Sequence, residues 1–165
     1  MADRTIADKL QPSLLDRLTD DDPGGQSEAR DARVIDIQRL REIIRRDLAW
    51  LLNSNNLGAM IDEESFPNVA NSTLNYGVRE VSGEFSTKRR AELIRASMRQ
   101  AIERFEPRIR DGALEIMLRQ EEQKSETIVS FDIVADMWAQ PIPLELYLRS
   151  EVDITTGALD LTLER

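Results

Sequence analysis

Two long segments of the chain carry apolar residues at the spacing of an α-helix. The first runs from about Asp31 to Leu52, and the second runs from Lys88 to Phe105 behind an expected N-cap at Thr87. Their apolar positions are Ile37, Leu40, Ile44, Leu48 and Leu51 in the first, and Ile94, Met98, Ala101 and Phe105 in the second. Because steps of three and four residues bring side chains to one helical face, the pattern predicts two amphipathic helices.

After the second helix the pattern changes to alternation. Apolar and polar residues alternate over residues 113–119 and 129–137, with a polar turn at 121–124 between them. This is typical of a hairpin with one face in water. The prolines within residues 141–143 end the second strand, because proline cannot occupy a central position in a ladder.

Alternation returns in the last part of the chain and predicts a second hairpin. It covers residues 144–148, and Val152 and Ile154 are then expected to face the apolar residues of 159–163 across a turn at 155–158. Helices first and strands afterwards predict an α+β fold, with helices packed on a small antiparallel sheet of C-terminal hairpins.

The N-terminal segment has a different character. Residues 1–28 are predicted to be a flexible tail, since the run at 20–25 offers too little apolar surface to order itself. Within this tail, residues 12–18 form a short amphipathic segment that Ser13 can cap. Its apolar stripe includes Leu14, Leu15 and Leu18. Such a segment folds onto its own domain or onto a partner, and both outcomes stay open. Residues 29–165 are expected to form the single domain.

Residues 53–86 follow neither periodicity and are interpreted as a long irregular segment. Turns are expected at Phe66-Pro67 and at residues 75–77, and residues 69–74 could form a short helix. A loop of this length in a compact domain is usually functional or packed onto the fold. Trp50, at the end of the first helix, is expected to pack near it.

Composition excludes several kinds of chemistry. The 165 residues include no cysteine and no histidine, so disulfides, thiol catalysis, Cys/His zinc sites and imidazole acid–base catalysis are impossible. No phosphate-binding or dinucleotide-binding glycine motif is present, and no cofactor or metal is expected. The charged N-terminus and the lack of a long apolar run lead us to expect a soluble cytoplasmic protein without membrane insertion.

Charge is distributed unevenly. The net charge of −9 argues against nucleic-acid binding. Residues 87–110 nevertheless carry eight Lys/Arg against three acids, and residues 111–165 carry twelve acids against four bases. Either a basic helix lies against an acidic sheet and the two fields partly cancel, or faces of opposite sign meet different partners.

The acidic run Asp62-Glu63-Glu64 is the least implausible cluster for glycoside hydrolysis, which needs two carboxylates. No second acid can be assigned to it, and no groove of aromatic residues is evident. Adjacent acids in a polar loop are usually solvated, so no catalytic residue is predicted.

The second helix ends in the turn Glu106-Pro107-Arg108. Pro107 lacks an N–H and pushes Glu106 out of the α region, so the chain must reverse there. The turn therefore places a carboxylate and a guanidinium beside a forced reversal. They bind each other, the adjacent backbone or a partner, and the sequence leaves these interpretations open.

Five segments, in this order and spacing, resemble a known family. They are PSLLDRL at 12–18, RDLAWLLN at 46–53, FPNVANSTLNYG at 66–77, FEPRI at 105–109 and VDITTG at 152–157. The chain resembles the TssE family of type VI secretion baseplate wedge subunits, within the small baseplate proteins of contractile-tailed phages once labelled lysozyme-like. The resemblance implies a non-enzymatic structural role beside larger wedge subunits, and a role as template for the contractile sheath.

The resemblance also implies which residues bind partners. In the family, a Glu-Pro-Arg turn makes the contact with the wedge core, and this role carries over to Glu106, Pro107 and Arg108. We expect Arg108→Ala to weaken assembly far more than monomer stability. The further candidates are Leu74, Asn75 and Tyr76 in the loop, Leu14, Leu15 and Leu18 in the tail, and Leu161 near a possible sheet edge. A sheath strand could add to such an edge between about Leu144 and Leu163. A peptidoglycan hydrolase (muramidase) and a small regulatory adaptor stay as alternatives.

Overall fold

The computed structural model describes residues 13–19, 23–24, 35–80, 87–119, 127–137 and 144–164. Most of the predicted tail, the polar turn at 121–124 and the proline segment at 141–143 lie outside these ranges. The described residues form a set of helices followed by an antiparallel sheet, which confirms the predicted α+β class.

The helices are α1 (Leu14–Leu18), α2 (Ile37–Leu52), α3 (Pro67–Ala70), the 3₁₀ turn Thr73–Asn75 and α4 (Thr87–Phe105). Helix α2 begins at Ile37, later than the predicted start near Asp31, because the Asp36 side chain caps it by accepting the Arg39 N–H at 2.7 Å. The predicted short helix at 69–74 is instead α3 and the 3₁₀ turn. Pro67 suits a first helical turn, so α3 begins at this residue.

The sheet has four strands in the order β1-β2-β3-β4, each antiparallel to the next. They are β1 (Ile109–Leu118), β2 (Ile128–Met137), β3 (Leu144–Asp153) and β4 (Leu159–Leu163). Both predicted hairpins are confirmed, and Val152 pairs with Leu159 as expected. Strand β1 starts directly after the turn, earlier than predicted, and its pairing is irregular between Ile109 and Leu114.

The core lies between one face of the sheet and helices α2 and α4. Its fully buried side chains include Ile44, Leu48, Met98, Ile102, Phe131, Ile133, Leu146 and Leu148. Apart from Ile102, these are apolar positions of the predicted helical stripes and alternating strands. Ile37 was predicted in the stripe of α2, but it is 43% exposed. The opposite face of the sheet carries polar residues such as Glu115 and Glu151, which are exposed.

The loop between α2 and α4 is held by a buried amide. Asn75 is 1% exposed, its Oδ1 accepts the Leu57 N–H at 3.0 Å, and its Nδ2 donates to the Ala70 carbonyl at 2.9 Å. Arg104 on α4 donates to the same carbonyl at 2.7 Å. These bonds fix the 3₁₀ turn against α4, and they give the Asn75 side chain an internal role.

The two edges of the sheet differ in how their outward backbone groups are satisfied. On β4, Asn53 accepts the Leu159 N–H and donates to the Leu159 carbonyl, while Arg45 donates to the Leu161 carbonyl at 3.2 Å. On β1, the Arg119 N–H donates to the Ser130 carbonyl on β2. Because backbone groups in an antiparallel pair point alternately toward and away from the partner strand, those of even-numbered β1 residues point outward. Arg99 on α4 donates to the outward Leu114 carbonyl at 2.8 Å, whereas the outward groups of Ile116 and Leu118 have no partner among the described residues. The β1 edge is therefore the more open one.

Candidate functional site

The turn after α4 is closed by an internal ion pair. Glu106 is 5% exposed, and its carboxylate accepts from Arg108 Nε at 2.6 Å, from Nη2 at 2.5 Å and from the Arg108 backbone N–H at 3.1 Å. Pro107, between them, is exposed. Of the three interpretations left open by the sequence, two therefore hold together: the charges bind each other and the adjacent backbone.

A carboxylate on α2 joins the turn to the body of the domain. Asp47 Oδ2 accepts from Arg108 Nη2 at 2.8 Å. Burial acts to lower the pKa of Arg108, but the carboxylates of Glu106 and Asp47 outweigh it and hold that pKa above its usual value. Arg108 Nη1 has no partner among the described residues, and the side chain is 28% exposed.

The loop residue Tyr76 belongs to the same region. The Tyr76 ring packs on Phe105, the last residue of α4, with ring centroids 5.4 Å apart. Burial, and then the negative charges of Asp47 and Glu106, raise the pKa of Tyr76. Leu74 projects into solvent at 68% exposure, close in sequence to the half-buried Tyr76.

Helix α1 reaches this region through Arg46. The Arg46 guanidinium donates to both oxygens of Asp16, from Nη1 at 2.6 Å and from Nη2 at 3.1 Å. It also donates to Asp47 Oδ1, from Nη2 at 2.7 Å. The pKa of Asp16 is held below its ordinary value, chiefly by the hydrogen bond from Arg46.

These contacts form an alternating chain of charges that we call the charge relay: Asp16, Arg46, Asp47, Arg108 and Glu106. It joins α1, α2 and the turn after α4. The roles of Arg46 and Asp47 were missed by sequence reasoning, although both residues open one of the five segments that carry the family resemblance.

Trp50 departs from its expected packing. It is 53% exposed, and its ring lies 4.9 Å from the Arg46 guanidinium carbon. The sequence prediction that it packs near the helix end is corrected in this respect, since the ring covers a charged side chain and leaves much of its surface in solvent.

The predicted partner-binding residues are therefore only partly brought together. The relay and its neighbours include Glu106, Arg108, Tyr76 and the helix that carries Leu14, Leu15 and Leu18. Asn75 is enclosed in its loop, so it can support a partner surface only by holding that loop in place. Leu161 lies outside the relay, and its side chain is 2% exposed in the core.

The acidic run at 62–64 has the geometry of a turn. Asp62 accepts the backbone N–H groups of Glu64 and Ser65 and the Ser65 hydroxyl. These hydrogen bonds, that of the Ser65 side chain first, lower the pKa of Asp62. A general acid in glycoside hydrolysis needs a raised pKa, so the environment of Asp62 does not favour that role.

The described residues contain no group of three or more acidic, histidine or cysteine side chains that could hold a metal ion. None of the helices in the described ranges is both long enough and apolar enough to span a membrane.

Comparison with known proteins gives one family. Residues 38–142, more than half of the chain, match the model of the family described as baseplate wedge protein gp25. The match covers α2, the loop, α4, the turn and the first hairpin, and it leaves α1 and the second hairpin outside. No curated protein and no solved structure matches the chain.

Proposed function

The chain belongs to the family of baseplate wedge protein gp25, and on that premise we propose that it is a structural subunit of a type VI secretion baseplate. In this role it joins the larger wedge subunits and templates assembly of the contractile sheath in the cytoplasm. The family supports a structural baseplate role, and the specific assignment to type VI secretion rests on the five segments identified in the sequence.

The observation that carries the wedge contact is the charge relay with its exposed rim. Arg108 is fixed by two carboxylates, while its Nη1 stays free to donate to a carboxylate or carbonyl of a partner. Arginine held in such a geometry loses little conformational entropy on binding. Leu74 and Trp50, at 68% and 53% exposure, supply apolar surface of the kind that partner interfaces bury.

Replacing Leu74 with glutamate is the direct test of this contact. The variant is expected to fold normally, because the side chain is mostly in solvent, and to bind the wedge partner about thirtyfold more weakly, or by about 2 kcal/mol. The measurement is affinity purification of the tagged chain from its native cell with identification by mass spectrometry, followed by titration of the purified partner.

Leu93→Glu is the matched control, since Leu93 is also an exposed leucine on a helical element, at 41% exposure. Recovery of wedge subunits by wild type and by Leu93→Glu, with loss in Leu74→Glu, supports the proposal. Equal recovery by all three proteins contradicts the placement of the contact. Recovery of a single regulatory protein in place of wedge subunits would favour the adaptor alternative.

For sheath templating, we propose that a sheath strand adds to the open edge at β1. The sequence favoured an edge between Leu144 and Leu163, but side chains of α2 already bond the outward groups of Leu159 and Leu161 on that side. Ile116 and Leu118 offer backbone groups that are unpaired within the described part of the chain to an incoming strand. Main-chain hydrogen bonds would supply adhesion, and the acidic face of the sheet would select a basic segment.

A pair of proline substitutions distinguishes the two edges. Leu118→Pro and Leu163→Pro each remove an outward N–H while sparing the ladder bond to the neighbouring strand, so both variants are expected to stay folded. Co-sedimentation with polymerising sheath is expected to fall about tenfold for Leu118→Pro and to stay unchanged for Leu163→Pro. The reverse result would restore the β4 edge, and normal recruitment by both variants would contradict strand addition.

A further inference from the structure

Among the described residues, the hydrogen bonds between helix α1 and the rest of the domain all join Asp16 to Arg46. None of the helix's five residues is buried, and Leu14, Leu15 and Leu18 are 70%, 48% and 74% exposed. The Asp16 side chain, in contrast, is only 12% exposed and faces Arg46. The helix is therefore docked by charge, and its apolar stripe points away from the domain that holds it.

Arg46 is suited to orient the helix as well as to hold it. Its Nη1 and Nη2 bind the two oxygens of Asp16, while Nε and Nη2 bind Asp47 Oδ1 at 3.0 and 2.7 Å. The planar guanidinium is thus fixed between two carboxylates, with the Trp50 ring over it. Because Asp47 also binds Arg108, the orientation of α1 is tied to the position of the turn.

We propose that Arg46 is a positioning residue that makes α1 and the turn after α4 a single surface for one wedge subunit. The inference rests on the proposed function. Leu14 and Leu18, one helical turn apart, enter an apolar groove of that subunit, while Arg108 Nη1 donates to an acceptor at the rim of the groove. An amphipathic helix presented in this way is a common mode of recognition, and its prior docking reduces the ordering cost of binding.

Three observations favour this occupant over the chain's own core. The leucines are exposed while α1 is already docked, so docking does not bury them. The relay links α1 through Arg46 and Asp47 to Arg108, which the proposed wedge contact uses. Trp50 is half exposed, and its ring over the Arg46 guanidinium adds apolar surface beside the residue that holds α1.

The test is a double-mutant cycle on binding of the full-length chain to the purified wedge subunit recovered with wild type. Asp16→Asn removes the tether and leaves the Arg46–Asp47–Arg108 contacts in place, and it is expected to weaken binding about tenfold. Leu14→Ala with Leu18→Ala is expected to weaken binding of the wild-type chain by a similar factor. In the Asp16→Asn background the leucine substitutions are expected to have almost no further effect.

Conservative and control variants separate positioning from general stability. Asp16→Glu is expected to recover part of the affinity, and Arg95→Gln, in an exposed ion pair on α4, is expected to leave it unchanged. Faster amide exchange at residues 14–18 in free Asp16→Asn, with an unchanged thermal midpoint, would show that only the helix has been released.

The outcomes are separable. The inference is overturned if the losses of binding affinity from Asp16→Asn and from the leucine substitutions are additive, or if neither substitution weakens binding. It is also overturned if the chain associates with itself and the leucine substitutions abolish that self-association. If Leu74→Glu still abolishes binding while Asp16→Asn leaves it intact, the wedge contact stands and α1 has no part in it. Failure of the wild-type chain to recover any wedge subunit overturns the proposed function and this inference together.

Discussion

Replacing Arg108 with alanine is expected to lower the free energy of unfolding by about 2–3 kcal/mol. Glu106 is 5% exposed and receives three of its hydrogen bonds from Arg108, so the substitution leaves a buried carboxylate without its cation. Asp47 also loses a partner. A fully buried pair would cost more, but the Arg108 side chain is 28% exposed and water moderates the loss. Urea denaturation followed by circular dichroism measures the effect.

Arg95→Ala is the matched control, because the Arg95–Glu92 pair on α4 has nearly the same 2.6 Å separation but lies at about half exposure. A solvated pair of this kind contributes less than about 0.5 kcal/mol. Equal losses for Arg108→Ala and Arg95→Ala would mean that the turn is solvated and that its ion pair adds little to stability.

The expected loss of stability in Arg108→Ala changes how the wedge contact at the turn can be tested. The sequence alone favoured a larger effect of Arg108→Ala on assembly than on stability. The reason was that the family resemblance identified the turn only as a contact with the wedge core. The burial of Glu106 removes that expectation, since a destabilised monomer also fails to assemble. Leu74 is the better probe of the wedge contact because its substitution leaves the relay intact.

Much of the fold could be predicted from periodicity. The stripe of α4 and the alternation of β2 each repeat over many residues, so the burial of Met98 and Phe131 follows from spacing alone. The start of α2 could not be placed, because it depends on whether Asp36 takes the capping position. The exposure of Trp50 also could not be predicted, since spacing along a helix does not identify the neighbour that covers a ring.

The charge relay shows why the candidate site was predictable only in part. Glu106 and Arg108 are two residues apart, and a turn between them is visible in the sequence. Asp47 is 61 residues from Arg108, and Asp16 is 30 residues from Arg46. One sequence does not reveal which of its many charged residues meet across such separations, because most surface charges stay solvated.

Replacing Gly77 with alanine is expected to destabilise the domain by about 4 kcal/mol, through backbone strain and a direct clash. Gly77 has φ of 120°, and an added Cβ would lie 2.2 Å from the Ser54 carbonyl oxygen. The close approach is needed because Val78 donates to that same carbonyl at 2.8 Å and Asn56 donates to the Val78 carbonyl at 2.9 Å. These bonds pin the far end of the loop to the end of α2.

Gly157→Ala separates the clash from the strain. Gly157 also has a positive φ, 74°, but an added Cβ meets no atom within 4 Å. Gly157→Ala is therefore expected to lower the free energy of unfolding only by the cost of the left-handed backbone conformation, roughly 1–2 kcal/mol. Both variants are compared by urea denaturation and by wedge binding of the folded fraction. Because Gly77 directly follows Tyr76, its substitution is expected to displace the loop and weaken wedge binding, which Gly157→Ala leaves unchanged. Equal stability of the two variants would mean that the loop yields without strain, and that the position of Leu74 and Tyr76 does not depend on this contact.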